Sequence, residues 1–233
     1  MERLVKYISS SGLFSKKESE RLILNGDVLV NSKIILELGY IVEDTDKVTI
    51  NGIDIKPQEE RLYYILNKPF GYITSFSSAK GTKSTSDLLS DIKVKLSPLN
   101  KLDFEDTGLI ILSNDNNLKN NFINSYDDFI KEYKIKIDGI IKKEELNNLK
   151  KKLHFKLYDL SYNAEKTSSI LRISLKDTKI KDLKKEFNNS SFKIKSLKLE
   201  KIENISLDIK EGFKRPLKPY EIKILKLKAM NKI

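Results

Sequence analysis

Asp103 lies in the run Asn100-Lys101-Leu102-Asp103-Phe104-Glu105-Asp106-Thr107-Gly108-Leu109, a polar loop whose glycine opens an apolar stretch over 109–112. A carboxylate at the mouth of a buried strand can act as a nucleophile or a general base without a cofactor. An aspartate in a loop can also do no more than accept hydrogen bonds from nearby backbone amides. Spacing alone leaves both readings open. Composition is more decisive about other chemistries. The 233 residues include no cysteine and one histidine, His154. Disulfides, thiolate metal sites and multi-histidine zinc sites are therefore excluded, and a Ser-His-Asp triad would have to use His154.

The elements around Asp103 read as a mixture. Strand patterns fall at 62–66, 109–112, 133–137, 170–175, 192–199 and 206–209, and helical patterns at 84–89, 116–123, 143–153, 180–187 and 219–227. Strict strand–helix alternation is missing, so the reading is α+β with a mixed, mainly antiparallel sheet. Ahead of this lies a smaller unit. A short helix from Leu4 ends at Gly12, and Ser15-Lys16-Lys17-Glu18 forms a capping box that starts a second helix. That helix stops at Asn25-Gly26. Strands at 28–30 and 47–50 follow, with turns at Asn31-Ser32 and Asn51-Gly52. The residues Pro57-Gln58-Glu59-Glu60 read as a linker, which divides the chain into domains 1–58 and 59–233.

The net charge is +11, unevenly spread: residues 1–60 carry 8 Lys/Arg against 11 Asp/Glu, and residues 61–233 carry 36 against 22. Basic chains bind polyanions by releasing counterions. Only 5 of the 44 basic residues are arginine, however, and AT-rich coding produces such lysine use without selection for a partner. On the second helix Lys17 and Arg21 share a face, with Arg3, Lys6 and Lys16 able to extend it. A solvated face is the alternative, since Glu18 and Glu20 lie between. The order Arg3-Leu4-x-Lys6-Tyr7-Ile8, Ser11-Gly12-Leu13-x-Ser15-Lys16-Lys17-Glu18, Arg21-Leu22-Ile23, Asn25-Gly26-x-Val28-x-Val30 closely resembles an S4 RNA-binding domain. That resemblance covers residues 1 to 50 and implies RNA contacts through Arg3, Lys6, Lys16, Lys17 and Arg21.

Beyond the linker, Asn67-Lys68-Pro69-x-Gly71 after an apolar strand is similar to the opening motif of RNA pseudouridine synthases. The bacterial subgroup with an S4 domain, which modifies single uridines in ribosomal RNA, is the one it looks like. The Asp103 run resembles that family's Gly-Arg-Leu-Asp-x-x-Thr-x-Gly-Leu, ending in Ser113-Asn114-Asp115. Lys131-Glu132-Tyr133 corresponds to its Lys-x-Tyr, and Gly212 to Ile222 to its closing segment, read here as architecture. The resemblance implies that Asp103 is the catalytic carboxylate, that Tyr133 packs on the target base, and that Lys101 or Lys185 supplies the charge partner.

The chain departs from the pattern at named positions. Asn100-Lys101 replaces Gly-Arg, and Asp106 stands where threonine is expected; if both carboxylates were buried, each would disfavour ionisation of the other. The later Glu-Gly-x-x-Arg-Gln-Val-Arg-Arg-Met-Phe motif survives weakly over 177–187, with Thr178, Asp182 and Glu186 at its glycine, glutamine and methionine positions. The implied function is isomerisation of a specific uridine in ribosomal RNA or a pre-ribosomal particle; since the product is an isomer, the resemblance also implies that no cofactor and no metal are needed. The alternative is a catalytically inactive RNA-binding protein, a ribosome-assembly factor that keeps the fold. The N-terminus lacks a signal-peptide core and no stretch reaches the ~20 apolar residues of a membrane span, so the expectation is a cytoplasmic monomer with no membrane partner.

Overall fold

The computed structural model describes residues 1–57, 61–75 and 81–231; of the expected linker, all but Pro57 lies outside them. The chain forms two compact units, Met1–Leu62 with Asp91–Leu96, and Tyr63–Ser90 with Ser97–Ile233.

The first unit contains β1 (Glu2–Arg3), α1 (Leu4–Ser10), α2 (Lys16–Leu24), β2 (Val28–Val30), β3 (Lys33–Ile34), β4 (Ile41–Val42), β5 (Val48–Ile50) and β6 (Ile53–Ile55). The capping box forms as its residues dictate: the Ser15 amide donates to Glu18 Oε2 at 2.6 Å, and the Glu18 amide donates to Ser15 Oγ at 3.2 Å. β3, β2, β5 and β6 make a four-stranded sheet. Its two-residue turns, Asn31-Ser32 and Asn51-Gly52, have positive φ at both positions, the geometry that matches strand twist in tight hairpins. Leu4, Ile8 and Ile23 from the helices pack with Val28, Val48 and Ile50 as the core. Residues 91–96 join this unit, with the Lys95 amide donating to the Gly12 carbonyl at 3.0 Å and the Lys95 ammonium to Glu18 at 2.9 Å.

The second unit is built on β7 (Tyr63–Lys68), β8 (Ser97–Pro98), β9 (Thr107–Ser113), β10 (Lys131–Asp138), β11 (Phe155–Tyr162), β12 (Ser168–Leu175), β13 (Ile194–Ile202), β14 (Ile205–Ser206) and β15 (Lys214–Pro216). These form one sheet in the order β11-β12-β10-β13-β9-β7-β15, with β14 beside β13 and β8 beside β9. Among the described residues, these strands pair antiparallel except β9 with β13. The helices are α3 (Asn116–Asn124), α4 (Lys143–Lys152), α5 (Ile180–Asn188) and α6 (Pro219–Ala229). The class is α+β, as the mixed pattern implied.

Strands differ in how well their sequence announces them. β9 is buried almost throughout and β10 alternates strictly between buried and less buried positions. β11 was missed by the sequence reading. It is an edge strand with one partner, has a bulge between Leu157 and Asp159, and leaves Tyr158 and Tyr162 half exposed, so its apolar alternation is weak. The closing segment is architecture. Arg215 grips the buried Glu221 with two nitrogens, each 2.9 Å from an oxygen, and Asp208 at 2.6 Å. Among the described residues no helix is long and apolar enough to cross a membrane.

Candidate active site

Four strands bring the motifs into one row. Lys68 at the end of β7 stands opposite Gly108 on β9; Gly108 pairs with Leu199 on β13, and Leu199 with Tyr133 on β10. Gly108 is required there. Its φ is +112°, and a Cβ would lie 2.2 Å from the Leu199 carbonyl oxygen. Only glycine combines that backbone conformation with so close an approach.

The loop before β9 is clamped from two sides. Asn100, buried, donates its side-chain amide to the Leu109 carbonyl at 2.9 Å and accepts from the Ile111 amide at 2.8 Å. Thr74 Oγ1 donates to the Leu102 carbonyl at 2.8 Å and accepts from the Leu102 amide at 3.2 Å. Lys68 is fully buried, and its ammonium donates to the carbonyls of Asp106 at 2.6 Å, Pro69 at 3.1 Å and Phe104 at 3.4 Å. Burial lowers its pKa to about 8, against the opposing pull of Asp106 and Asp103. The Asn-Lys-Pro-x-Gly turn thus holds the loop that carries Asp103.

Asp103 itself is open, its side chain 72% exposed, and it receives a hydrogen bond from Lys184 at 2.7 Å. The same ammonium donates at 2.6 Å to Asp106, which is buried. Burial works against the Lys184 charge, but the two carboxylates outweigh it and raise the ammonium's pKa. The two acids are not both buried, and one shared cation lies between them.

Lys184 is the cation that the sequence reading missed. It placed the charge on Lys101 or Lys185, and the structure pairs neither with Asp103 among the described residues. Leu183 and Phe187 point α5 into the core, leaving Lys184 half-buried at the margin and Lys185 exposed. On a helix one residue is a rotation of about 100°, so the inward Leu183–Phe187 pair is the signal that separates the two lysines. Lys101 is also exposed, and its charge is felt at Lys119, whose pKa falls through burial first and Lys101 second.

Tyr133 is 3% exposed. Its hydroxyl is hydrogen-bonded to that of Tyr126; burial, then Tyr126 and Asp106, push it well above the usual range. Burial likewise takes Tyr126 up to about 12. Both phenols therefore stay protonated at neutral pH. Tyr126 rests against Phe122 and under the buried Lys131 ammonium, 4.7 Å from its ring centroid. In the first unit Arg3, Lys6, Lys16, Lys17 and Arg21 are all exposed. Lys6 pairs with Glu2 at 3.3 Å. Glu18, between Lys17 and Arg21, is taken up by the helix cap and Lys95, and these hydrogen bonds lower its pKa to about 2.

An S4-like order of elements ahead of a mixed sheet carrying the Asn-Lys-Pro-x-Gly turn points to a class of RNA-modifying isomerase, and comparison with known proteins agrees. The family model described as RNA pseudouridylate synthase matches residues 62–221, and that of the S4 domain matches residues 2–48. The chain is 31% identical over 238 residues to ribosomal large subunit pseudouridine synthase B of Bacillus subtilis (strain 168), covering 98% of this chain and 97% of that one. It is 30% identical over 217 residues to the dual-specificity RNA pseudouridine synthase RluF of Escherichia coli (strain K12), covering 88% of this chain and 71% of that one. A crystal structure of a pseudouridylate synthase superposes with a TM-score of 0.60 over 97% of this chain and 100% of that one, at 19% identity, which is a likeness of fold. The chain belongs to the RNA pseudouridylate synthase family and carries an S4 domain at its start.

Proposed function

We propose that this protein converts one uridine of ribosomal RNA, free or in a pre-ribosomal particle, to pseudouridine, with Asp103 as the catalytic carboxylate. The observation that carries the reading is the open Asp103 carboxylate on a clamped loop, 2.7 Å from an ammonium that also has a buried partner. The relatives named for ribosomal large subunit and for dual-specificity RNA synthases support an RNA substrate of this kind.

The reaction breaks the N1–C1′ bond, turns the base and joins C5 to C1′; the C5 hydrogen leaves and N1 gains one. The product is an isomer, so the balance closes without an oxidant or an energy source. Asp103 either attacks the ribose or removes a proton from it. Lys184 places a positive charge at hydrogen-bond distance from the carboxylate and orients it. The uridine must first leave its stack, at a cost of a few kcal/mol, which favours loop or single-stranded targets. Tyr133 packs on the extruded base. Its ring is 3% exposed, so that contact requires the side chains covering it to move aside. Arg3, Lys6, Lys16, Lys17 and Arg21 hold the phosphates, acting from a domain that contributes affinity and not chemistry.

Pseudouridines are mapped in ribosomal RNA from cells lacking the gene and from the same cells given back the wild type or Asp103→Ala. One site is lost on deletion, returns with the wild type and stays absent with Asp103→Ala. If no site changes on deletion, the protein is an RNA binder that keeps the fold without the activity.

A further inference from the structure

Two phenylalanines stand exposed on the Asp103 loop and on the turn that clamps it. Phe104 follows it directly and is 47% exposed; Phe70, on the Lys68–Gly71 turn, is 62% exposed. The same unit buries Phe122, Phe129, Phe187 and Phe192 but also exposes Phe213; Phe70 and Phe104 differ from Phe213 in being paired with each other. The two rings touch each other, with centroids 6.1 Å apart and planes inclined at 57°, an attractive arrangement that leaves ring face open to a third partner.

Their backbones are fixed. The Gly71 amide donates to the Phe104 carbonyl at 3.0 Å, and the buried Lys68 ammonium donates to the carbonyls of Pro69 and Phe104 on either side. Gly71 has φ +77°, and a Cβ there would meet the Phe104 ring at 3.8 Å, which places that ring across the turn. The pair is thus pre-ordered, and a ligand that stacks on it does not bear the cost of arranging two loops.

We propose that Phe70 and Phe104 form a stacking platform for the nucleobase adjacent to the target uridine. Extrusion of the uridine strips that neighbouring base of one stacking partner. An aromatic face on the loop that carries the reacting carboxylate replaces it, and it does so for any base, because every base presents a π-face. The proposal rests on the reading of Asp103 as the catalytic carboxylate. It assigns the pair to binding: the rings touch a base that does not react, so they lower KM and leave kcat alone.

The test uses protein-free ribosomal RNA from cells lacking the gene. Binding is measured by filter retention in an Asp103→Asn background, and turnover in the otherwise wild-type chain. Phe70→Leu and Phe104→Leu, which keep apolar bulk and remove the π-face, each weaken binding about tenfold and raise KM by the same factor with kcat unchanged. Phe70→Tyr and Phe104→Tyr restore both. Tyr158→Leu, on the strand at the opposite edge of the sheet, has no effect. Leucine variants that bind like their parent, or a loss that tyrosine does not restore, overturn the proposal. If the wild type makes no pseudouridine while the leucine variants still lose affinity and the tyrosine variants regain it, the reading of Asp103 fails and the platform stands.

Discussion

Lys184 shows how much one residue position can decide. Its ammonium holds Asp103 and Asp106 together, and only Asp106 is buried. Lys184→Met therefore leaves Asp106 buried without its ion partner and costs about 3 kcal/mol, while Lys185→Met on the exposed side changes stability by less than about 0.5 kcal/mol. Urea unfolding of the two variants makes the comparison; equal stability would contradict the assignment. The motif that carries Asp103 was legible in the sequence because it is local. Its cation was not, because it comes from a helix 81 residues further on, whose rotation depends on how Leu183 and Phe187 enter the core. Lys68 makes a second prediction. Its pKa is about 8 in the fold against 10.5 for the free side chain, so between those values the unfolded chain holds a proton that the folded chain has released. This group's contribution to stability then rises with pH across the window. The melting-temperature difference between wild type and Lys68→Met becomes more favourable to the wild type from pH 8 to 10; a flat or falling difference would contradict it.

At the scale of elements, the site depends on the parallel pairing of β9 with β13. Gly108→Ala places a Cβ 2.2 Å from the Leu199 carbonyl at a φ of +112°, so β9 and β13 must separate. A loss of about 3 kcal/mol or more follows, with activity lost as the Asp103 loop shifts relative to Tyr133. Thermal unfolding and turnover test this together, and a variant as stable as the wild type would contradict the pairing. Strands with a buried face, such as β9 and β10, were legible from their patterns, as was the capping box at Ser15. β11 was not, since an edge strand buries little. β1, β8 and β15, of two or three residues each, were not either, because pairing rather than pattern makes them strands. The meeting of Gly108 with Leu199 lies beyond any local signal.

The whole molecule combines two units, each with its own core, and an uneven charge. The first 60 residues are net acidic although the chain is +11, so an overall electrostatic argument says little about where RNA would touch the S4 domain. The individual exposures say more: Glu18 is paired with Lys95, which leaves Lys17 and Arg21, with Glu20 between them, as the charge on that helix face. Lys17→Ala with Arg21→Ala should weaken RNA binding at every sequence and reduce the slope of log affinity against log salt by about 2. An unchanged slope would place the phosphates elsewhere. The order of S4-like and synthase-like motifs was legible along the chain. The return of residues 91–96 to the first unit was not, since so short a segment carries no pattern and is held by a backbone hydrogen bond and an ion pair.

The central claim is that Asp103 performs the chemistry. The most direct measurement is pseudouridine formation in a single turnover, with protein in excess over ribosomal RNA from cells lacking the gene, comparing wild type with Asp103→Asn. The Asp103 side chain is 72% exposed, so the isosteric change leaves melting temperature and RNA affinity as they were. The account predicts a rate lower by at least about a thousandfold. A rate for Asp103→Asn within about tenfold of wild type would contradict it.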